Sequence, residues 1–216
     1  CVCAAGECPA PLTSGLCLRP CANTACAEGE RCVLLGGAKG QPWREDACYP
    51  ACDGDVQCLR PGFSCRQAPT ADGWRQVCLP PLLKDIASSC RRVDGALDPG
   101  QCMGGRCLAL GAGGYCSASC ESGGCPAGSS CVEITVGKAV KAERLCLQRC
   151  TPGACASDPW LACQAAGGSG SLAFTVVGPA DPPGTMYCAA RACQKDVDCG
   201  VGGRCAAELG GYCAAP

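Results

Sequence analysis

The residues of this chain with the widest chemical repertoire are its cysteines, 28 in 216 positions, against no histidine at all. Thiols at that density could bind metal, run redox chemistry, act as nucleophiles, carry lipid or cross-link the chain. Spacing separates these uses. Zinc sites are commonly built from C-x2-C knuckles or mixed Cys/His sets, and the sequence contains neither. Redox pairs want C-x-x-C and attached haem wants C-x-x-C-H; both are absent. Without histidine there is no Ser-His-Asp or Cys-His arrangement, paired cysteines offer no thiolate, and no carboxylate pair stands out. The expectation is no catalytic residue, no metal site and no cofactor, hence not an enzyme.

Cross-linking remains. At about 13 per cent cysteine, composition alone indicates a disulfide scaffold. With nine aromatic residues and frequent Gly and Pro, one large aliphatic core is not expected, and staples take its place. Disulfides persist in oxidising compartments, which predicts an extracellular or cell-surface protein. The sequence opens on Cys1 rather than Met, which is read as removal of a signal peptide or as a piece of something longer. Acylation of Cys1 would leave an odd number of cysteines and orphan one partner, so a lipid anchor is disfavoured. No apolar run reaches the length of a membrane helix. A net charge of −1 and a pI near 5.5 leave no basic footprint for nucleic acid.

The cysteine spacing repeats. Cys3, Cys102 and Cys199 open matching stretches, so the period is about 98 residues. Recurring three-residue gaps, Leu-Arg-Pro, Tyr-Pro-Ala, Ser-Ala-Ser and Leu-Gln-Arg, read as linkers. Cutting there gives seven modules of four cysteines with none left over. They are 1–17 (Cys1, Cys3, Cys8, Cys17), 21–48 (Cys21, Cys26, Cys32, Cys48), 52–78 (Cys52, Cys58, Cys65, Cys78) and 90–116 (Cys90, Cys102, Cys107, Cys116). After these come 120–146 (Cys120, Cys125, Cys131, Cys146), 150–188 (Cys150, Cys155, Cys163, Cys188) and 193–213 (Cys193, Cys199, Cys205, Cys213). Modules one, four and seven are short and share a GGRC…GGYC type of ending, decayed in module one. The sequence stops mid-period, which is read as a section of a longer array or a subunit whose neighbour supplies the next module.

The elements that position these cysteines are predicted to be hairpins between the third and fourth of each module. In CVEITVGKAVKAERLC (131–146), Val132, Ile134 and Val136 alternate with polar residues before Gly137-Lys138 turns the chain. CRQAPTADGWRQVC (65–78) turns at Asp72-Gly73, and the GGYC modules have only a stub of a hairpin. PPLLKDIASSC (80–90) reads equally as two helical turns or an irregular linker. Cys1 and Cys3 are too close to bond, which argues against first-to-second pairing. First-to-third with second-to-fourth is favoured, and first-to-fourth with second-to-third stays open. The predicted fold class is an elongated tandem array of small disulfide-rich modules made of short β-hairpins and loops, with very little helix and no large single core.

CQKDVDCGVGGRCAAELGGYC (193–213) carries Asp196, Asp198, Cys199, Gly202 and Cys205 at the spacing C-x-x-D-x-D-C-x-x-G-x-x-C. CDGDVQCLRPGFSC (52–65) keeps Asp55, Cys58, Gly62 and Cys65, with Gln57 in place of the second aspartate. Both resemble the tandem cysteine-rich repeats of secreted and surface proteins of myxobacteria and their relatives. The resemblance implies a surface location and a spacer, stalk or decorative architecture rather than a mechanism.

Two sharper readings concern binding. Asp53/Asp55 and Asp196/Asp198 offer oxygen ligands, but calcium wants six to eight of them, and a turn in which aspartate accepts backbone N–H groups is favoured. Trp43 and Trp74 occupy matching places in modules two and three, where each presents a glycan or protein contact or covers a disulfide. The loop 164–187 contains LAFTVV, an apolar strand expected to pair within its own hairpin or with a neighbouring subunit. Taken together the sequence predicts a structural extracellular protein that forms a filament or surface stalk by head-to-tail assembly with itself. The alternative is an adhesin or receptor-type array.

Overall fold

In the computed structural model the described residues are 17–35, 46–81, 83–121, 124–135, 143–155, 158, 160–167, 173–177, 181–206 and 211–214. Among them the chain forms thirteen β-strands and three short 3-10 turns, and no α-helix. The fold is a set of small disulfide-rich modules, each built on a short antiparallel pair. Module one, apart from Cys17, lies outside the described residues, as do Trp43 and the Gly137-Lys138 turn.

Module two contributes β1 (Glu30–Val33) and β2 (Ala47–Pro50), and module three β3 (Ser64–Thr70) and β4 (Gly73–Leu79); the four form one sheet ordered β2-β1-β3-β4. Module four supplies the separate pair β5 (Gly105–Leu108) and β6 (Tyr115–Ala118). Module five gives β7 (Ser129–Thr135) and β8 (Glu143–Cys150), and module six β9 (Leu161–Ala165), β10 (Ala173–Val176) and β11 (Met186–Ala190). These five make a sheet ordered β10-β7-β8-β11-β9, and module seven closes with β12 (Arg204–Ala206) and β13 (Tyr212–Ala214).

Four local expectations meet particular outcomes. The β3–β4 register pairs Thr70 with Gly73, so Ala71 and Asp72 make the turn and Gly73, at φ 100°, opens the next strand. The turn is therefore one residue earlier than Asp72-Gly73; the positive φ that a hairpin bulge requires falls on the glycine. Segment 80–90 takes the irregular course, because Pro80 and Pro81 remove two helical donors while Leu83 is buried and Lys84 bridges to Cys102. β10, the LAFTVV strand, does not pair within its own module. It adds to β7 of module five, with Phe174 opposite Ile134.

Three of the three-residue gaps, Tyr-Pro-Ala, Ser-Ala-Ser and Leu-Gln-Arg, continue a strand and are not linkers. Tyr49 and Pro50 belong to β2, Ser117 and Ala118 to β6, and Leu147 to Arg149 to β8. The second strand of one hairpin runs on through the gap and arrives at the next module still extended. There the residue before the first cysteine pairs with the residue before the fourth: Pro20 with Ala47, Ala51 with Val77, Ser119 with Leu145, Arg149 with Tyr187 and Ala192 with Tyr212. Into modules three, five and six one strand thus ends one module and begins the next, and the same backbone pairing is made at five modules.

That strand has two faces, because successive side chains alternate. The fourth cysteine points to one face, and its two neighbours point to the other. Those neighbours are fully buried: Ala47 and Tyr49, Val77 and Leu79, Tyr115 and Ser117, Leu145 and Leu147, Tyr187 and Ala189. All but Ser117 fill two apolar clusters. One joins Val33, Tyr49, Val77 and Leu79 to Leu83 and to Met103 of module four. The other gathers Leu110 and Tyr115 of module four, Ile134 and Leu147 of module five, Leu161 and Tyr187 of module six and Tyr212 of module seven. The modules share cores, and module four reaches into both. Burying each such large side chain contributes about 1.5–3 kcal/mol.

Candidate functional site: the disulfide frame

The third and fourth cysteines of each described module sit directly opposite one another across the hairpin: Cys32 and Cys48, Cys65 and Cys78, Cys107 and Cys116, Cys131 and Cys146, Cys163 and Cys188, Cys205 and Cys213. Cross-strand neighbours present their sulfurs on one face. They do not bond to each other. The loop carrying the first two cysteines lies over that face, and its sulfurs take one partner from each strand. The bonds are Cys21–Cys32 and Cys26–Cys48, Cys52–Cys65 and Cys58–Cys78, Cys90–Cys107 and Cys102–Cys116. Further along they are Cys120–Cys131 and Cys125–Cys146, Cys150–Cys163 and Cys155–Cys188, Cys193–Cys205 and Cys199–Cys213. Every one joins first to third or second to fourth. Cys17 is also disulfide-bonded; Cys1, Cys3 and Cys8 lie outside the described residues. Sulfurs gathered this closely could hold a metal as thiolates, but no described cysteine is free. In the chain-entropy account each bond contributes about 3–4 kcal/mol.

The aspartate pattern serves the same frame. Asp196 Oδ1 accepts from the backbone N–H of Cys205 at 2.7 Å, and Asp55 Oδ1 from that of Cys65 at the same distance. The first aspartate therefore fixes the third cysteine of its own module. Asp198 Oδ2 accepts from the N–H groups of Gln194 and Lys195 at 2.8 and 2.9 Å, and these bonds hold its carboxyl below the usual range. In module three Gln57 Oε1 accepts from the N–H of Asp53 at 2.6 Å, so the amide does what the second aspartate does in module seven. Asp53 gives that turn its backbone N–H alone. Gly62 and Gly202 have φ 79° and 76°, where a glycine is required. These carboxylates are engaged with backbone donors in turns, as Asx side chains commonly are.

The GGYC glycines have an equally direct cause. Gly114 has φ 68°, and a Cβ there would lie 2.8 Å from Leu97 Cδ2 and 3.0 Å from Cys90 Sγ. Gly211, two residues before Cys213, repeats the conformation at φ 78°. Gly114→Ala combines positive-φ strain with a contact against a buried disulfide, so it is expected to cost about 2–4 kcal/mol. Denaturant unfolding under oxidising conditions measures it, and a change below about 0.5 kcal/mol, the scatter of surface substitutions, contradicts the assignment.

Both described tryptophans lie against disulfides of a module other than their own. Trp74 of module three packs on Ala118, Cys120 and Cys146, and its Nε1 donates to Gly124 O at 3.2 Å. Trp160 of module six is 6% exposed and packs on Cys199, Cys205 and Cys213. Trp43 has no described position, so its pairing with Trp74 as one surface has no geometry behind it.

Sequence reasoning missed the buried tyrosines beside the fourth cysteines. Tyr115 OH accepts from Gln148 N at 2.9 Å, and Tyr187 OH donates to Asp181 Oδ2 at 2.7 Å. Burial pushes the Tyr49 and Tyr115 hydroxyls up, and burial together with the bond to Asp181 pushes Tyr187 up to about 12. The apolar residues on either side of the fourth cysteine were the available signal. No family model matches the chain, and no curated protein or solved structure matches it.

Proposed function

We propose that this is a non-enzymatic structural protein of the cell exterior, a disulfide-stapled rod, stalk or filament whose work is to persist and to span distance. Disulfides on this scale belong to an oxidising compartment, and no helix among the described residues is long and apolar enough to cross a membrane. The observation that carries the reading is the pairing made at five modules, at three of which the outgoing strand of one module runs on into the next. Modules joined through a shared strand transmit load through backbone hydrogen bonds, staples and a buried apolar face together. The same junction is open to use between copies, and a head-to-tail contact that does not close on itself gives a filament.

The test is the native material, examined by electron microscopy and sedimentation, with non-reducing and reducing mass spectrometry alongside. Rods or filaments resistant to protease and dispersed by reductant support the proposal. A compact, freely soluble monomer at every concentration overturns the filament, and intracellular residence of the reduced chain overturns the location.

A further inference from the structure

The geometry points to a neutral saccharide-binding site in the cleft where β4 of module three meets the 126–129 turn of module five, with Trp74 as its aromatic wall. The cleft has a volume of about 320 Å³, at the lower end of the range for small-ligand sites. Trp74 is half-buried, and the bond from its Nε1 to Gly124 O together with the packing behind it fixes the indole plane. An aromatic face held rigidly before any ligand arrives contributes contact area at little entropic cost.

The polar groups around it include three amides and a carboxylate, beside Arg66 and Ser129. Gln76 and Gln148 are exposed, and among the described residues no side-chain hydrogen bond engages their amides. Gln67 Oε1 accepts from Ala127 N at 2.7 Å, and among the described residues its NH2 has no acceptor. Asp85, 60% exposed, stands 3.5 Å from Arg66. Amides supply donors and acceptors side by side and a carboxylate supplies acceptors, which is what a ring of hydroxyls needs, while the C–H face of a sugar ring lies against the indole.

Other ligand classes fit less well. An anion finds Arg66 already donating to the carbonyl oxygens of Leu83 and Pro80 and faced by Asp85. A wholly apolar molecule would desolvate three amides and a carboxylate without replacing their hydrogen bonds. An extended peptide would want a free sheet edge, but β4 has β3 on one side and Ala51 on the other. The site does not depend on the filament: a monomer carries it whole.

The full oxidised chain is titrated with cellobiose, chitobiose, maltose and lactose, followed by saturation-transfer NMR and tryptophan fluorescence, with inorganic phosphate as the anion probe. At least one sugar is expected to bind at millimolar affinity or tighter. The double variant Q76A/Q148A should weaken it at least tenfold and Asp85→Asn several-fold, with melting temperature and disulfide mass unchanged. Trp74→Phe should weaken it too, and because that variant touches the packing, the exposed glutamine variants carry the decision. Binding by none of the sugars, binding indifferent to Q76A/Q148A, or preference for phosphate each overturns the proposal.

Discussion

Leu147→Ala is expected to destabilise the chain by about 2–5 kcal/mol, the range for emptying a fully buried leucine site, and to loosen four modules rather than one. Leu147 follows Cys146 on β8, is completely buried, and shares its cluster with Tyr115, Ile134, Leu161, Tyr187 and Tyr212. If modules were beads held only by staples, the loss would stay between Cys120 and Cys146. Amide hydrogen exchange separates the two: protection should fall in β11 and β13 as well as in β8. A matched control is Leu59→Ala, because Leu59 is 92% exposed and surface changes of this kind stay within about 0.5 kcal/mol. Alkaline titration gives a second readout. The Tyr115 and Tyr187 hydroxyls titrate higher in the folded chain than in the unfolded one. Their contribution is therefore fully present below the unfolded value, near 10, and is lost as pH rises towards and through the folded value. The cavity variant should ionise these phenols at lower pH. Exchange protection lost only within module five would refute the shared core.

The frame was legible and the welding was not, for a physical reason in each case. Cysteine spacing is a covalent constraint written directly into the chain, so the hairpin between the third and fourth cysteines and the turn role of Asp196 and Asp198 could be read from residue types alone. The apolar core comes from single residues such as Tyr49, Tyr115 and Leu147, each next to a cysteine, with period-two spacing over only three positions. That is too short a pattern to register as a strand, and a gap such as Leu-Gln-Arg reads as polar connector because two of its three residues face outward. β10 illustrates the same limit: Ala173–Val176 announces a strand, but its pairing with β7 depends on an edge in another module. For Trp74 the sequence offers a disulfide cover as one of two roles; that the disulfides beside Trp74 and Trp160 belong to a different module is tertiary information.

Replacing both Cys155 and Cys188 with alanine is expected to be the most damaging single staple removal among the described bonds, at about 4 kcal/mol or more. The bond closes a separation of 33 residues, against 11 for Cys21–Cys32. In the chain-entropy model that difference is worth only about 1 kcal/mol, because the cost grows with the logarithm of loop length. Location adds more. Cys155 and Cys188 are buried within the cluster that joins modules four to seven, so their removal also leaves a void against Leu161 and Tyr187. Removing Cys21 and Cys32 together should cost about 3 kcal/mol and leave that cluster intact, since neither residue belongs to it. Limited proteolysis gives the comparison in position as well as size: the first variant should open to protease across β9 and β11, the second only within module two. Equal losses from the two would mean that the staples act alone and that the apolar face contributes little. Unequal losses in the stated direction would mean that bond and core reinforce one another where modules meet.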